Sequence, residues 1–291
     1  MVYLFSETRL QLFRKKILAE VSGGYSRKLL SGDFGSEFET FFADRFPQRN
    51  TWVGLNAYTA LAEGNNGASG VYNCKNGYLI NKPVSTENNL DKNIGAVADF
   101  AKSIDTPTTV MLVPSTGYIV DDVLPTFHDK YNDDEDISKI SSTLSKNKIG
   151  FVDLRERFKS EYKNGSQLYY KTDHHWTTKG AYTGYQELCK ALGITPIDDS
   201  TLKKDSYPDF YGTTYSSSGF WLTPPDNIEI WNNPKNSDRN ISVKITEGAN
   251  IKTSGSMYFT DHLKEDDKYP VFTDGNHALT EITNTNATVS Y

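Results

Sequence analysis

Two apolar runs limit the fold more firmly than anything else in the chain. Thr109-Val110-Met111-Leu112-Val113 ends at Pro114, and Ile149-Gly150-Phe151-Val152-Asp153-Leu154 follows downstream. A short run that is apolar throughout, rather than alternating, fits a strand buried on both faces, as in a parallel sheet. Parallel neighbours need a crossover. Asp136–Lys148 supplies one, with Ile137, Ile140 and Leu144 at helical spacing. After the second run, Tyr182, Tyr185, Leu188, Cys189 and Leu192 share another helical face. Thr177 or Thr178 can cap that helix, and Gly193 can end it. The order strand, helix, strand, helix from Thr109 to Leu192 predicts a right-handed βαβ layout, with ligands at the C-terminal ends of the strands. Gln167–Tyr170 reads as a short strand. Ser115, directly after Pro114, and Asp173, between that short strand and the capped helix, both fall on this rim.

The stretch Tyr169-Tyr170-Lys171-Thr172-Asp173-His174-His175-Trp176-Thr177-Thr178-Lys179-Gly180 concentrates the chemistry and holds two of the five histidines. Burying a charge and two imidazoles is costly unless each finds a partner. A carboxylate beside a histidine fixes the ring tautomer and stabilises its charged form, which is the supporting half of a Ser-His-Asp arrangement. Asp173 and His175 are two apart, so an extended turn points them the same way and His174 elsewhere. The plain alternative is a capping Asp173 with solvated histidines. Metal binding is a third option. Adjacent His174 and His175 are awkward ligands for one ion, and no H-x-x-x-H or C-x-x-C spacing occurs. No metal or cofactor is expected.

A formal net charge of −6 over 291 residues, with no basic stripe, argues against a nucleic-acid binder. The 18 Tyr, 15 Phe and 4 Trp exceed what a plain core needs. Core packing is their first use, and sugar-stacking surfaces are compatible with the rest. Cys74 and Cys189 permit one disulfide and imply no framework. No apolar run reaches the length of a membrane span. Met1-Val2-Tyr3-Leu4-Phe5 turns polar too soon for a signal peptide. Low-complexity segments and internal repeats are absent.

The remaining segments are read by the same patterns. Residues 1–28 form an arm or amphipathic helix, and 29–291 form one α/β domain. Phe34, Phe38, Phe41 and Phe42 share a helical face that breaks at Arg45-Phe46-Pro47 and resumes from Trp52 through Leu61. Val71–Tyr72 and Tyr78–Ile80 flank Asn76-Gly77, a strong hairpin signal. Leu90, Ile94, Val97, Ala98 and Phe100 mark another helix. Asp209–Gly219 is a polar loop. Ile228–Trp231, Ser242–Ile245 and Tyr269–Phe272 look like strands of a small antiparallel insertion at about 205–275, and Thr280–Tyr291 is strand-like but polar. Arg45 and Arg49 read as salt-bridged structure rather than substrate clamps.

The D-H-H-W stretch resembles the signature of the bacterial DHHW protein family. The resemblance extends to Phe41-Phe42-Ala43-Asp44-Arg45-Phe46-Pro47-Gln48-Arg49, to Gly70-Val71-Tyr72 through Gly77-Tyr78-Leu79, to Asp209-Phe210-Tyr211-Gly212-Thr213 and to Asp274-Gly275-Asn276-His277. That family is distantly similar to the alginate O-acetyltransferases, which carry a D-x-H-W motif on an SGNH-hydrolase-like domain. The resemblance implies a mostly parallel sheet flanked by helices, an extracytoplasmic or cell-envelope setting, and a carbohydrate or acetyl donor as ligand. It makes Asp173 and His175 the acid and base of a triad, with Trp176 a structural neighbour.

In the family the nucleophile sits on a Lys-Asp-Ser-Tyr-type turn after the region of His277. This chain stops at Tyr291 before any such turn. The expectation is therefore a domain incomplete at its C-terminus and nearly devoid of acyl transfer. Ser115 and Ser216–Ser218 sit in no G-x-S-x-G or G-D-S context, and Gly32-Asp33 is followed by Phe34. Beside the catalytic pair, His174, Trp176, Ser115, Tyr215 and His277 are candidates for substrate contact. Two functions stand side by side. One is an acyl transferase or esterase relative acting on cell-surface carbohydrate O-acetyl groups. The other is a non-catalytic glycan-binding or scaffold protein that keeps the Asp-His pair.

Overall fold

The computed structural model describes residues 47–84, 89–234 and 240–287. The expected N-terminal arm, the helix carrying Phe34 to Phe42, and Arg45 lie outside the described residues. The described chain opens with helix α1 (Arg49–Ala62). The hairpin follows as β1 (Gly67–Ala68), β2 (Val71–Asn73) and β3 (Leu79–Asn81), paired antiparallel. Its turn residues Asn76 and Gly77 both take positive φ, 57° and 78°, as a turn that matches strand twist requires. Then come α2 (Leu90–Ser103), β4 (Thr109–Leu112), α3 (Thr116–Ile119), α4 (Asp133–Lys146), β5 (Gly150–Asp153) and α5 (Arg155–Lys163).

β4 and β5 pair in parallel with Val110 opposite Phe151 and Met111 opposite Val152. Alternation along the strands sends Val110 and Phe151 to one face and Met111 and Val152 to the other. On the first face Ala98 of α2 and Leu144 and Ile140 of α4 pack against them. On the second, Met111 and Val152 join Ile119, Leu154, Phe158, Leu168 and Tyr169 in the main core. Helices on both faces of a parallel pair are what the apolar runs call for.

The expectation of a mostly parallel sheet needs correction. Among the described residues the parallel content is this single pair of strands. The other strands lie in small antiparallel sheets: the hairpin, a pair of β6 (Lys203–Phe210) and β7 (Asp226–Asn232), and a β10-β8-β9 sheet. Between β5 and β6 runs helix α6 (Thr178–Leu192), and a short helix α7 (Thr213–Ser218) follows β6. The last strands are β8 (Ile241–Glu247), β9 (Asn250–Ser254) and β10 (Leu279–Asn284). The cause is visible in the side chains. In β7 Asp226, Ile228 and Ile230 point inward, and in β8 Val243 and Ile245 do. That two-residue alternation buries one face only and suits hairpin partners.

Three local expectations also change. Tyr269–Phe272 is a 3-10 turn (Tyr269–Val271) rather than a strand, because Pro270 fixes φ and offers no N–H to a ladder. The polar loop 209–219 contains α7. Gln167–Tyr170 is extended but makes only an isolated bridge, Tyr169 to Trp176. Pairing stops there because the next two backbone N–H groups are taken by a buried carboxylate. Asp226, 5% exposed, accepts from Gln167 Nε2 and Lys171 N on Oδ1, at 3.0 and 3.1 Å. Its Oδ2 accepts from Thr172 N and Thr172 Oγ1 at 2.8 and 2.7 Å. Cys74 and Cys189 are free thiols, both buried. Burial pushes the Cys74 thiol up to about 12.

Removing the Asp226 carboxylate leaves four donors without their acceptor in a dry setting. Asp226→Ala is expected to lower unfolding free energy by roughly 2–4 kcal/mol. Urea unfolding checks it, and a loss under about 0.5 kcal/mol, the range of ordinary surface changes, would mean that the clamp holds nothing.

Candidate active site

The loop 171–175 is stitched on three sides before its side chains are considered. Leu79 N donates to Lys171 O at 2.7 Å, tying it to β3. Tyr215 N donates to Thr172 O at 3.0 Å, and Gly212 N donates to Thr172 Oγ1 at 3.2 Å, tying it to α7 and the residue before it. Thr177 accepts from Gly180 N and caps α6, which ends at Gly193 in the left-handed region. Trp176 lies against α6, where a Cβ on Gly184 would stand 3.0 Å from its ring. The ring packs beside Phe158 in the main core. Trp176 thus anchors the loop to the helix that follows it.

Within that frame Asp173 is 2% exposed. Its Oδ1 accepts from His175 N at 2.9 Å and from His175 Nδ1 at 2.5 Å. Its Oδ2 accepts from Thr213 N at 2.7 Å and Thr213 Oγ1 at 2.9 Å. Burial alone would raise the carboxyl's pKa. The hydrogen bonds from the His175 ring and from the Thr213 and His175 backbone outweigh it and hold the group well below the usual carboxylate range. Gly212 makes this approach possible. A Cβ there would fall 2.2 Å from Asp173 Cβ and 2.4 Å from Oδ2.

An anionic Asp173 accepts only, so Nδ1 of His175 carries the proton and Nε2 is the basic nitrogen. The ring is stacked on Tyr269, centroids 4.3 Å apart with planes at 21°. It also touches the ring of His174 at 3.9 Å. The proton of Thr213 Oγ1 goes to Asp173. Its oxygen therefore faces His174 Nδ1 at 2.8 Å as an acceptor.

His174, His175, Trp176 and Ser115 line one cavity of about 640 Å³. Its other walls include Leu112, Val113, Asp133, Ile137 and Tyr169. Ser115 is held across it: its N and Oγ donate to the two oxygens of Asp133 at 2.7 and 2.5 Å. Among the described residues no serine hydroxyl bonds to His175. Tyr215 and His277 do not line this cavity. Tyr215 is buried in a neighbouring apolar cluster and supports the loop through its backbone N–H. His277 sits in the β-rich part, with Nδ1 3.0 Å from Glu247 Oε1 and Nε2 3.0 Å from Asp274 O. Ligand atoms of Asp173, His174 and His175 lie within 4.8 Å of one another. An ion there would compete with the hydrogen bonds that already occupy both Asp173 oxygens.

The sequence pattern does not single out Thr213, Gly212 or Tyr269 as site residues. The first two stand in the Asp209-Phe210-Tyr211-Gly212-Thr213 motif, where a glycine beside a hydroxyl residue signals close backbone approach. Nothing in the sequence marks Tyr269, which comes to His175 through the fold alone.

Residues 79–208 match the SGNH hydrolase-like domain of the acetyltransferase AlgX. Among solved structures, Bacillus cereus PatB1 with a sulfonyl adduct superposes with a TM-score of 0.58 at 17% identity, over 75% of this chain and 74% of that one. A DHHW family protein from Eubacterium siraeum DSM 15702 gives a TM-score of 0.57 at 17% identity, over 76% and 73%. No curated protein matches the chain. The chain is thus similar to AlgX-type acetyltransferase domains and shares the SGNH-like α/β fold of a DHHW protein, as the D-H-H-W signature implies.

The Asp173 carboxyl has a folded-state pKa depressed below its unfolded value of about 3.9. Its stabilising contribution is present above about pH 4 and drains away as the pH falls through the folded value. Unfolding midpoints between about pH 3 and 6 are expected to fall on acidification more steeply for the wild type than for Asp173→Asn. Parallel curves would show that the carboxylate is not held as described.

Proposed function

We propose that this SGNH-like chain is an acyl transferase or esterase relative that acts on O-acetyl groups of cell-surface carbohydrate, with His175 as general base and Asp173 as its orienting anion. The observation that carries the reading is the Asp173–His175 pair itself. A buried, fully hydrogen-bonded carboxylate fixes Nδ1–H, and the basic Nε2 has no hydrogen-bond partner among the described residues. The ring lines a cavity large enough for an acylated sugar unit. A serine hydroxyl brought to Nε2 would lose its proton to His175 as its oxygen attacks the ester carbonyl. Asp173 would stabilise the imidazolium, which then returns the proton to the leaving sugar oxygen. The acyl group ends on the serine and passes to water in an esterase, or to a second hydroxyl in a transferase.

In this reading Asp173 and His175 are the base half of the site. Ser115 shares the cavity, but its hydroxyl is committed to Asp133. It is assigned a binding role, as are His174 and Trp176. Turnover is accordingly expected to be low. That same observation favours a second reading: a non-catalytic glycan-binding or scaffold protein that keeps the pair. The resemblance to AlgX-type domains supports a role outside the cytoplasm. Among the described residues no helix is long and apolar enough to cross a membrane.

Hydrolysis of p-nitrophenyl acetate separates the two. Any turnover above buffer is expected to drop at least about 100-fold in His175→Ala and to survive in Ser115→Ala. Acceleration by an added sugar acceptor would identify transfer. Wild-type turnover that His175→Ala leaves intact would end the catalytic reading, and zero turnover with retained glycan binding would select the second.

A further inference from the structure

A separate cavity, of about 420 Å³, lies between helix α6, the end of β7 and the segment after β9. It shares no lining residue with the cavity of His175. Four aromatic side chains line it: Tyr182 and Tyr185 from α6, Trp231 from β7, and Tyr258. The two α6 residues are three apart and therefore neighbours on one helix face. Their ring centroids are 5.9 Å apart with planes at 43°. Trp231 stands 5.3 Å from Tyr182 with planes at 51°. Rings inclined in this way wall a hollow, where parallel rings would close on one another.

Each of the four is pinned at its polar tip. Tyr182 Oη donates to Ile197 O at 2.6 Å, and Tyr185 Oη accepts from Ile197 N at 3.1 Å. Tyr258 Oη donates to Trp231 O at 3.0 Å. Trp231 Nε1 donates to Glu229 Oε2 at 2.9 Å, and a carboxylate on that N–H pushes electron density into the indole. With the tips engaged, ring carbon is what these residues offer a ligand. No lining residue carries a formal charge. The rings already attract cations from the protein itself. Lys204 Nζ lies 4.1 Å from the Trp231 ring and Lys179 Nζ 5.9 Å from that of Tyr182. Each of these lysines has its own carboxylate, Asp199 at 2.7 Å and Glu161 at 3.9 Å. Neither therefore leaves an unbalanced positive charge beside the cavity.

From this arrangement we propose that the cavity is an aromatic cage for a small quaternary ammonium group, such as the trimethylammonium end of choline. The electron-rich faces of Trp and Tyr attract a cation, and the attraction grows as water is excluded. The methyl groups of the ligand meet ring carbon and the apolar side chains of Leu202, Ile241 and Met257, which also line the cavity. A primary ammonium is strongly hydrated and needs acceptors in exchange, whereas the polar tips here already have partners. A sugar meets the same obstacle with its hydroxyl groups. A neutral apolar guest forgoes the attraction to the ring faces. The site is independent of the acyl-transfer reading, because none of its residues touches Asp173 or His175 among the contacts described above.

Isothermal titration of the whole chain with choline chloride tests it. The neutral control is 3,3-dimethyl-1-butanol, which has the same shape with carbon in place of nitrogen, and ethanolamine is the primary-ammonium control. Choline is expected to bind saturably and at least about 10-fold more tightly than either, the span of two or three ring contacts. Tyr185→Leu and Trp231→Leu should each weaken choline at least about 5-fold. Tyr185→Phe keeps the ring face and should stay within about 3-fold of the wild type, which separates loss of the cage from a folding defect. His175→Ala should bind choline as the wild type does, whatever its effect on ester turnover. Absence of saturable choline binding, equal affinity for the neutral isostere or for ethanolamine, or choline affinity unchanged in both leucine variants would each overturn the assignment.

Discussion

The arrangement depends on one buried anion. Asp173 is almost sealed from water, and four donors converge on its two oxygens. In a low-dielectric setting such a group is either satisfied on every side or neutralised by a proton. Here satisfaction comes from two distant parts of the chain at once. His175 answers from the same loop and Thr213 from the start of α7. The carboxylate therefore joins a local turn to a remote helix and fixes an imidazole at the rim of the parallel pair.

Asp226 does the same one step earlier in the loop. It takes the backbone N–H groups of Lys171 and Thr172 that a continuing strand would have used. The strand ends, the chain bends, and Asp173 enters the interior. Two acidic side chains of unlike role thus shape a few consecutive residues. One terminates pairing, and the other orients a ring. Apolar packing alone would not set the angle of that ring, because the Tyr269 face permits sliding where the hydrogen bonds do not.

Much of this was legible before any coordinates. The apolar runs gave the parallel pair, though its strands are only half-buried, and the Asn76-Gly77 turn gave the hairpin. Thr177 and Gly193 bounded α6 as their types suggest. The pairing of Asp173 with His175 followed from their two-residue spacing. What stayed hidden was long-range. Nothing near Lys171 in the sequence announces Asp226, and nothing near His175 announces Tyr269. The share of parallel sheet was overread because an apolar run reports burial, not how many strands join it. Arg49 is a different case. A charged residue on a helix is paired by default, and among the described residues no carboxylate pairs with Arg49.

The two cysteines close the picture from another side. Cys74 sits at the hairpin turn with its side chain in the main core, and Cys189 is on the buried face of α6. A thiol whose ionisation is suppressed to that degree is a poor nucleophile towards alkylating reagents. It becomes reactive only when the hairpin lifts from the core. The rate at which iodoacetamide consumes it would then count spontaneous openings of the native protein, a clock built into the chain without any added label.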